Sequence, residues 1–303
     1  MDSILFAANA KINLALSVIG KRNDSYHELD TVMQTVDISD EISIKKSRFF
    51  SFESDSFNGE NNIAFKAAHC FFGAAGIKPQ VQIKIKKFIP SSAGLGGGST
   101  DAAGVLTGLN KIFETGFSKA RLCEMAVSLG ADVPFLIDGG TQRARGIGEI
   151  LTPLPAIPKC SAVIILAGDK PSTAEMFARL DKTDYPRPDI EKTVTAVKNG
   201  SYSELTQALG NSFSVLWEGS NIPDRLYSCG ADAVSFQAAA PQDSRFFPMM
   251  KRQRWQGNIL RTKAFSSIRA ALPKAHLLLN NNERKFSCDS VDCEVVTERL
   301  LPA

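Results

Sequence analysis

Paired cysteines, long apolar runs and a one-sided charge are all missing from this chain of 303 residues. Its six cysteines, Cys70, Cys123, Cys160, Cys229, Cys288 and Cys293, show no C-x-x-C spacing, which excludes a sequence-evident zinc site or disulfide framework and reads as reduced thiols. No apolar run approaches the roughly 20 residues of a membrane-spanning helix. The first residues, Met1 to Phe6, carry no basic cluster, and Lys11 and Asn13 interrupt the apolar stretch that follows, so a secretory signal is not expected there. The expected location is therefore cytoplasmic. With 35 basic and 32 acidic side chains the net charge is only +3, which gives no footprint for a nucleic acid or a membrane surface. Repeats and low-complexity segments are also lacking. What remains is 44% hydrophobic and 22% charged, enough apolar matter for one large core or two smaller ones.

Periodicity then divides the chain. Ile12, Leu14, Leu16 and Val18 alternate with smaller or polar residues and predict a strand, closed by the turn-prone Gly20 to Ser25. Glu41 to Ile44 predicts a second strand. Asn62 reads as the cap of a helix through Ile63, Ala67 and Phe71, with Gly76 as its stop, and Val81, Ile83 and Ile85 predict a strand after it. Helical spacing follows over Thr100–Phe113 and Ser118–Leu129, then a buried strand over Ala162–Leu166, then helices over Thr173–Leu180, Ile190–Val197 and Tyr202–Leu209. The pattern is α+β, with a change of domain near Pro153–Lys159, where three prolines cluster.

Between the strand and the helix lies Pro90-Ser91-Ser92-Ala93-Gly94-Leu95-Gly96-Gly97-Gly98-Ser99-Thr100. Glycine at four of the five positions 94–98 leaves backbone N–H groups unobstructed, and the helix that follows adds its partial positive charge. That combination suits phosphate oxygens. No G-K-[ST] ends the loop, so it is not a Walker A sequence, and Ser99 stands where G-x-G-x-x-G needs its last glycine.

Three segments in order, Ala10-Lys11-Ile12-Asn13-Leu14, the loop from Pro90 to Ala102, and Gly130-Ala131-Asp132-Val133-Pro134-Phe135, resemble the GHMP kinase superfamily of galactose, homoserine, mevalonate and phosphomevalonate kinases. Asp24-Ser25-Tyr26-His27-Glu28-Leu29 and Gly139-Gly140-Thr141 with Gly146-Ile147-Gly148-Glu149 narrow the likeness to members whose acceptor is a cytidine diphosphate-linked methylerythritol. The resemblance implies a two-domain fold, an S5-like ATP-binding domain over residues 1–155 and a ferredoxin-like domain over residues 156–240. It also implies ATP-dependent phosphorylation of the acceptor's 2-hydroxyl in non-mevalonate isoprenoid synthesis, by a monomer or homodimer. ATP with Mg²⁺ would lie on the Pro90–Thr100 loop; the metal ligands are not fixed by the sequence. Asp132 matches the catalytic base and Lys11 its partner. Tyr26 and His27 match the cytosine contacts, Asn13 the polar group at the methylerythritol end, and Thr173 a further substrate contact. Standing alone, Asp132 would read as a helix cap, Lys11 as a solvated strand charge and His27 as a surface residue.

The chain departs from the pattern in places. Asn9 replaces a proline, Ser25 replaces a glycine, and Gln142-Arg143-Ala144-Arg145 is more basic than usual. A later Gly-Ser-Gly-Pro-Thr motif is absent, and the chain instead reads Gln237-Ala238-Ala239-Ala240-Pro241. The codons CAG GCA GCG GCC CCA would spell Gly-Ser-Gly-Pro in a neighbouring frame. Residues 241–303 are accordingly expected to be an aberrant, frameshifted tail that leaves the second domain incomplete. The remaining alternatives are another kinase of the superfamily, acting on homoserine or mevalonate, and a catalytically impaired nucleotide-binding remnant.

Overall fold

The computed structural model describes residues 1–56, 59–90, 93–167, 172–217, 224, 227, 231–235, 249–252, 275–279 and 293–299. Two long strands, β1 (Ser3–Lys21) and β2 (His27–Lys46), run antiparallel and organise the first sheet. Alternation exposed only a part of each in the sequence. In β1 the stretch read from alternation, Ile12–Val18, lies in a run from Ala10 to Val18 that is buried throughout, and the strand extends it to Ser3 and Lys21, whereas β2 adds the mostly covered His27–Asp40 to the alternating Glu41–Ile44. The sheet continues with β3 (Ser51–Ser54), β4 (Val81–Lys86), β5 (Thr141–Gly146) and β6 (Ile150–Leu154). β2 serves two partners along its length, pairing Leu29–Gln34 with β5 and Glu41–Lys46 with β4.

A second sheet is centred on β7 (Cys160–Ala167). The two-residue β8 (Gly210–Asn211) joins β1 in the first sheet. The strands β9 (Ala233–Val234), β10 (Met249–Arg252), β11 (Ala275–Leu279) and β12 (Cys293–Arg299) complete the second in the order β11-β12-β7-β10-β9.

Seven helices cover these sheets among the described residues: α1 (Ile63–Ala75), α2 (Gly97–Phe113), α3 (Lys119–Val127), α4 (Val133–Asp138), α5 (Thr173–Leu180), α6 (Ile190–Lys198) and α7 (Tyr202–Ala208). Capping sets most of their starts. The Asn62 side chain accepts from the Ala64 amide, and Ser118, Ser172, Asp189 and Ser201 do the same for α3, α5, α6 and α7. Gly76 closes α1 in the left-handed conformation, as its position predicts. The short α4 and strands β3, β5 and β6 have no expectation to match.

The core has two main parts. One packs Ile42, Ile44, Ile83 and Ile85 against α1, α2 and α3. The other joins Ile12, Leu14, Leu16 and Val18 of β1 to Ile164, Met176, Leu180, Val194, Leu205 and Phe213, so β1 shares its apolar side chains with the later helices. Where α2 crosses the sheet it uses Gly104 and Gly108, beside which an added Cβ would lie 2.5 Å from Ile42 and Ile44 respectively. No described helix is long and apolar enough to cross a membrane.

Two of the sequence departures acquire reasons. Arg143 of β5 forms a two-pronged bond to Asp30 of β2, at 2.6 and 2.8 Å, and a third bond to Glu191 of α6, so the added basic charge ties three elements together. Ser25 lies in the β1–β2 turn at φ 70°, in the left-handed region that favours glycine. Ser25→Gly is expected to stabilise the protein by about 1 kcal/mol, because relief of that strain exceeds the added unfolded-state entropy. An unchanged or lower midpoint in urea unfolding would contradict this.

Candidate active site

β1 carries the first functional side chains. Lys11 and Asn13 are two residues apart and share a strand face; both are buried, at 5% and 2% exposure. The glycine loop is stitched to this strand from the other side. The Lys11 amide donates to the Leu95 carbonyl at 3.0 Å, and the Thr100 hydroxyl donates to the Asn9 carbonyl at 2.6 Å. The β1–β2 ladder slips between Asn9 and Lys11, just where these bonds are made.

The loop itself ends in α2, and glycine is required at its junction. Gly96 stands at φ 73°, and an added Cβ would lie 3.2 Å from the Lys11 side chain. As the residue capping α2 it offers no side chain, so the first-turn amides are not claimed by a capping group. The helix dipole adds to their attraction for an anion. Asp132 occupies the cap position of α4 yet makes no capping hydrogen bond. Its carboxylate instead faces Lys11, with Nζ to Oδ2 at 3.4 Å. The bland readings of these two residues thus do not describe them: Lys11 is not a solvated strand charge, and the Asp132 side chain is not spent on its helix.

Around this pair opens a cleft of about 920 Å³, at the upper end of ligand-pocket volumes. Lys11, Asn13, Tyr26, His27, Pro90, Ala93, Gly94, Leu95, Gly96, Gly97, Gly98, Ser99, Asp132 and Thr173 all line it. Ser91 and Ser92 lie outside the described residues. Thr100 differs from expectation. It lines a neighbouring cavity instead, its hydroxyl held by Asn9, and so serves to fix the loop to β1.

At the far end of the cleft His27 is buried rather than on the surface, at 7% exposure. Its Nε2 lies 2.6 Å from Asp181 Oδ1, and its ring stacks on Phe177 with centroids 4.3 Å apart. Lys21 donates to the other oxygen of Asp181 at 2.7 Å. These bonds, from Lys21 first and His27 second, hold the Asp181 carboxyl below its ordinary range. Tyr26 is 59% exposed on the cleft wall. Phe177 and Asp181 have no place in the sequence expectation, yet a signal was present: with Thr173 they recur every four residues and so fall on one face of α5.

Beneath the glycine loop, Lys87 binds Asp40 and Asp101 together. Burial raises the Asp101 carboxyl to about 7 despite the opposing Lys87 charge. No group of three or more His, Cys, Asp or Glu side chains able to hold a metal occurs among the described residues.

Comparison with known proteins gives consistent likenesses. The family model for the GHMP kinases N terminal domain matches residues 62–140. A 4-diphosphocytidyl-2-C-methyl-D-erythritol kinase of Geobacillus sp. (strain WCH70) is 36% identical over 254 residues, which span 78% of this chain and 86% of that protein. The protein of the same name from Caldicellulosiruptor bescii (strain ATCC BAA-1888 / DSM 6725 / KCTC 15123 / Z-1320) is 42% identical over 215 residues, or 69% of this chain and 75% of that one. A crystal structure of a 4-(cytidine 5'-diphospho)-2C-methyl-D-erythritol kinase superposes with a TM-score of 0.71 at 27% identity, covering 99% of this chain and all of the other.

Proposed function

The chain belongs to the 4-diphosphocytidyl-2-C-methyl-D-erythritol kinase family of GHMP kinases, and from that premise we propose how its own residues divide the work. The reaction moves the terminal phosphoryl group of ATP to the 2-hydroxyl of 4-diphosphocytidyl-2-C-methyl-D-erythritol, leaving ADP. ATP would enter as its magnesium complex, with the ion offsetting phosphate charge as part of the substrate. The first-turn amides of α2 receive the phosphates. Asp132 accepts the proton of the attacking hydroxyl, and the Lys11 ammonium orients that hydroxyl and offsets charge on the phosphoryl group in transit.

Asn13 is assigned to the methylerythritol end, because it follows Lys11 on the same buried face. Tyr26 and His27 are assigned to the cytosine, with Thr173 nearby on α5. Since Asp181 engages Nε2 of His27, the base edge would meet Nδ1. The observation that carries the reading is the 3.4 Å approach of Lys11 and Asp132 beside a glycine loop with uncapped helix amides.

The test is ADP release from purified protein with three acceptors in turn: the cytidine substrate, homoserine and mevalonate. Release with the first alone is expected; release with either of the others at a comparable rate would overturn the acceptor assignment. The alternative of another acceptor finds no support in relatives that carry one name across 78% of the chain; an impaired remnant would show as ADP release with none of the three acceptors. A cytoplasmic monomer or homodimer acting on small molecules completes the proposal; the net charge of only +3 offers no footprint for a nucleic acid or a membrane surface.

For residues 241–303, of which β10, β11 and β12 lie in the second sheet, the proposal is a shifted reading frame, on the ground that Gln237–Pro241 stands where the Gly-Ser-Gly-Pro-Thr motif is expected. A gene corrected to encode Gly-Ser-Gly-Pro-Thr after Phe236 is expected to give more soluble protein and a higher kcat. Resequencing that confirms the present frame, together with no gain from the corrected gene, would contradict it.

A further inference from the structure

Under the glycine loop lies an ionic cluster that the reaction as described does not use. Asp40 of β2, Lys87 of the segment after β4, and Asp101 of α2 meet through the Lys87 ammonium, which donates to Oδ2 of both carboxylates and, at 3.3 Å, to the Gly97 carbonyl. Asp40 is wholly buried and Asp101 is 2% exposed. Asp40 Oδ1 also accepts from the amides of Phe88 and Ile89, at 2.6 and 2.8 Å, where the chain enters the loop. The cluster therefore grips both ends of the loop, and Lys87, Gly97, Gly98 and Asp101 line the cleft.

Its charges do not balance, for two carboxylates share one ammonium. Three of the four carboxylate oxygens are engaged, and the fourth, Asp101 Oδ1, is buried with no hydrogen-bond partner. Such an oxygen is more costly to bury when charged than when protonated. Burial, aided by Asp40 and opposed by Lys87, raises the Asp101 carboxyl to about 7, so the group is divided between its two forms near neutrality.

We propose that Asp40, Lys87 and Asp101 form a proton-linked anchor for the nucleotide loop, in which arrival of the nucleotide's phosphates completes the protonation of Asp101 at Oδ1 from solvent. This rests on the assignment of the glycine loop to ATP. Phosphates on the first turn of α2 bring negative charge close to Asp101, which begins the second turn, and like charge favours the neutral acid. With Asp101 neutral, the Lys87 ammonium balances Asp40 alone and keeps its bond to the Gly97 carbonyl. Asp40 and Lys87 are the charged groups that act on Asp101; Asp55 binds the Lys87 backbone amide at 3.2 Å, not its ammonium. Asp101 is thus a positioning residue, coupled to the nucleotide through the loop.

Calorimetric titration of ADP into the full chain at about pH 7, in two buffers of different ionisation enthalpy, counts the protons exchanged. The unaltered protein is expected to take up about half a proton more per ADP than Asp101→Asn, whose neutral amide has nothing to gain. Equal proton counts would overturn the anchor while leaving the kinase reading intact. Absence of any ADP binding by the unaltered protein would overturn the loop assignment and the anchor with it. A second measurement needs no variant: in protein labelled at aspartate Cγ, the Asp101 carboxyl should titrate near neutrality and shift upward by a unit or more when ADP is bound. A carboxyl whose midpoint ADP does not move would also overturn the proposal.

Discussion

Asp132→Asn is expected to lower kcat by at least about a hundredfold while leaving the midpoint of thermal unfolding nearly unchanged. The amide keeps the shape of the side chain and an oxygen for the Lys11 ammonium, now 3.4 Å from the carboxylate, but it cannot take a proton. Stability should be spared because Asp132 makes no capping bond to α4 and is about one-third exposed. The KM for ATP should change little, since the glycine loop and not Asp132 is assigned to the phosphates. Asp132→Ala should lose at least as much rate and also some stability, because it leaves the buried Lys11 ammonium with no oxygen of residue 132 beside it. Steady-state kinetics with calorimetric melting distinguishes these outcomes. A kcat within a few fold of the unaltered protein would remove Asp132 from the chemistry.

The second large effect falls on stability. Asp40→Ala should destabilise the fold by about 3–5 kcal/mol, seen as a lower urea midpoint. Its carboxylate is wholly buried, accepts two backbone amides and pairs with Lys87, so truncation strands the Phe88 and Ile89 N–H groups at the loop entrance. Asp101→Asn provides the contrast. It replaces an excess buried charge with a neutral amide of the same shape, so no loss is expected near neutrality. Its sign with pH is also fixed. The folded carboxyl titrates at about 7, above its ordinary 3.8, so the folded state binds more protons and this group's contribution is largest at low pH. That contribution declines as pH rises from 3.8 to about 7, and the decline should be absent in Asp101→Asn. An Asp40→Ala protein as stable as the parent would show that the loop does not depend on this cluster.

Much of the site was legible because its chemistry is local in sequence. The glycine loop announces itself by composition, and Asn62 marks a helix start through side-chain capping that needs no distant partner. Lys11 and Asp132 were legible only as an ordered set, since the bond between them joins positions far apart in the chain. The full length of β2 was not legible, because its Thr31–Val36 stretch is buried on both faces and loses its alternation, and the reach of β1 back to Ser3 was not legible either. Nor was the Asp40–Lys87–Asp101 cluster, whose members sit on β2, a loop and α2 and meet only when the sheet and helix pack. Phe177 and Asp181 fall between these cases. Their spacing from Thr173 places them on one helix face, yet nothing in the sequence says that this face turns toward His27.

The most direct test of the central claim is the phosphorus NMR spectrum of the product made by purified protein from MgATP and 4-diphosphocytidyl-2-C-methyl-D-erythritol. The expected result is one new phosphomonoester on the 2-hydroxyl, formed in step with ADP and lost with Asp132→Asn. A product phosphorylated elsewhere, or the same product formed undiminished by the Asp132→Asn protein, would contradict the pairing of Lys11 and Asp132 as the place where phosphoryl group and acceptor meet.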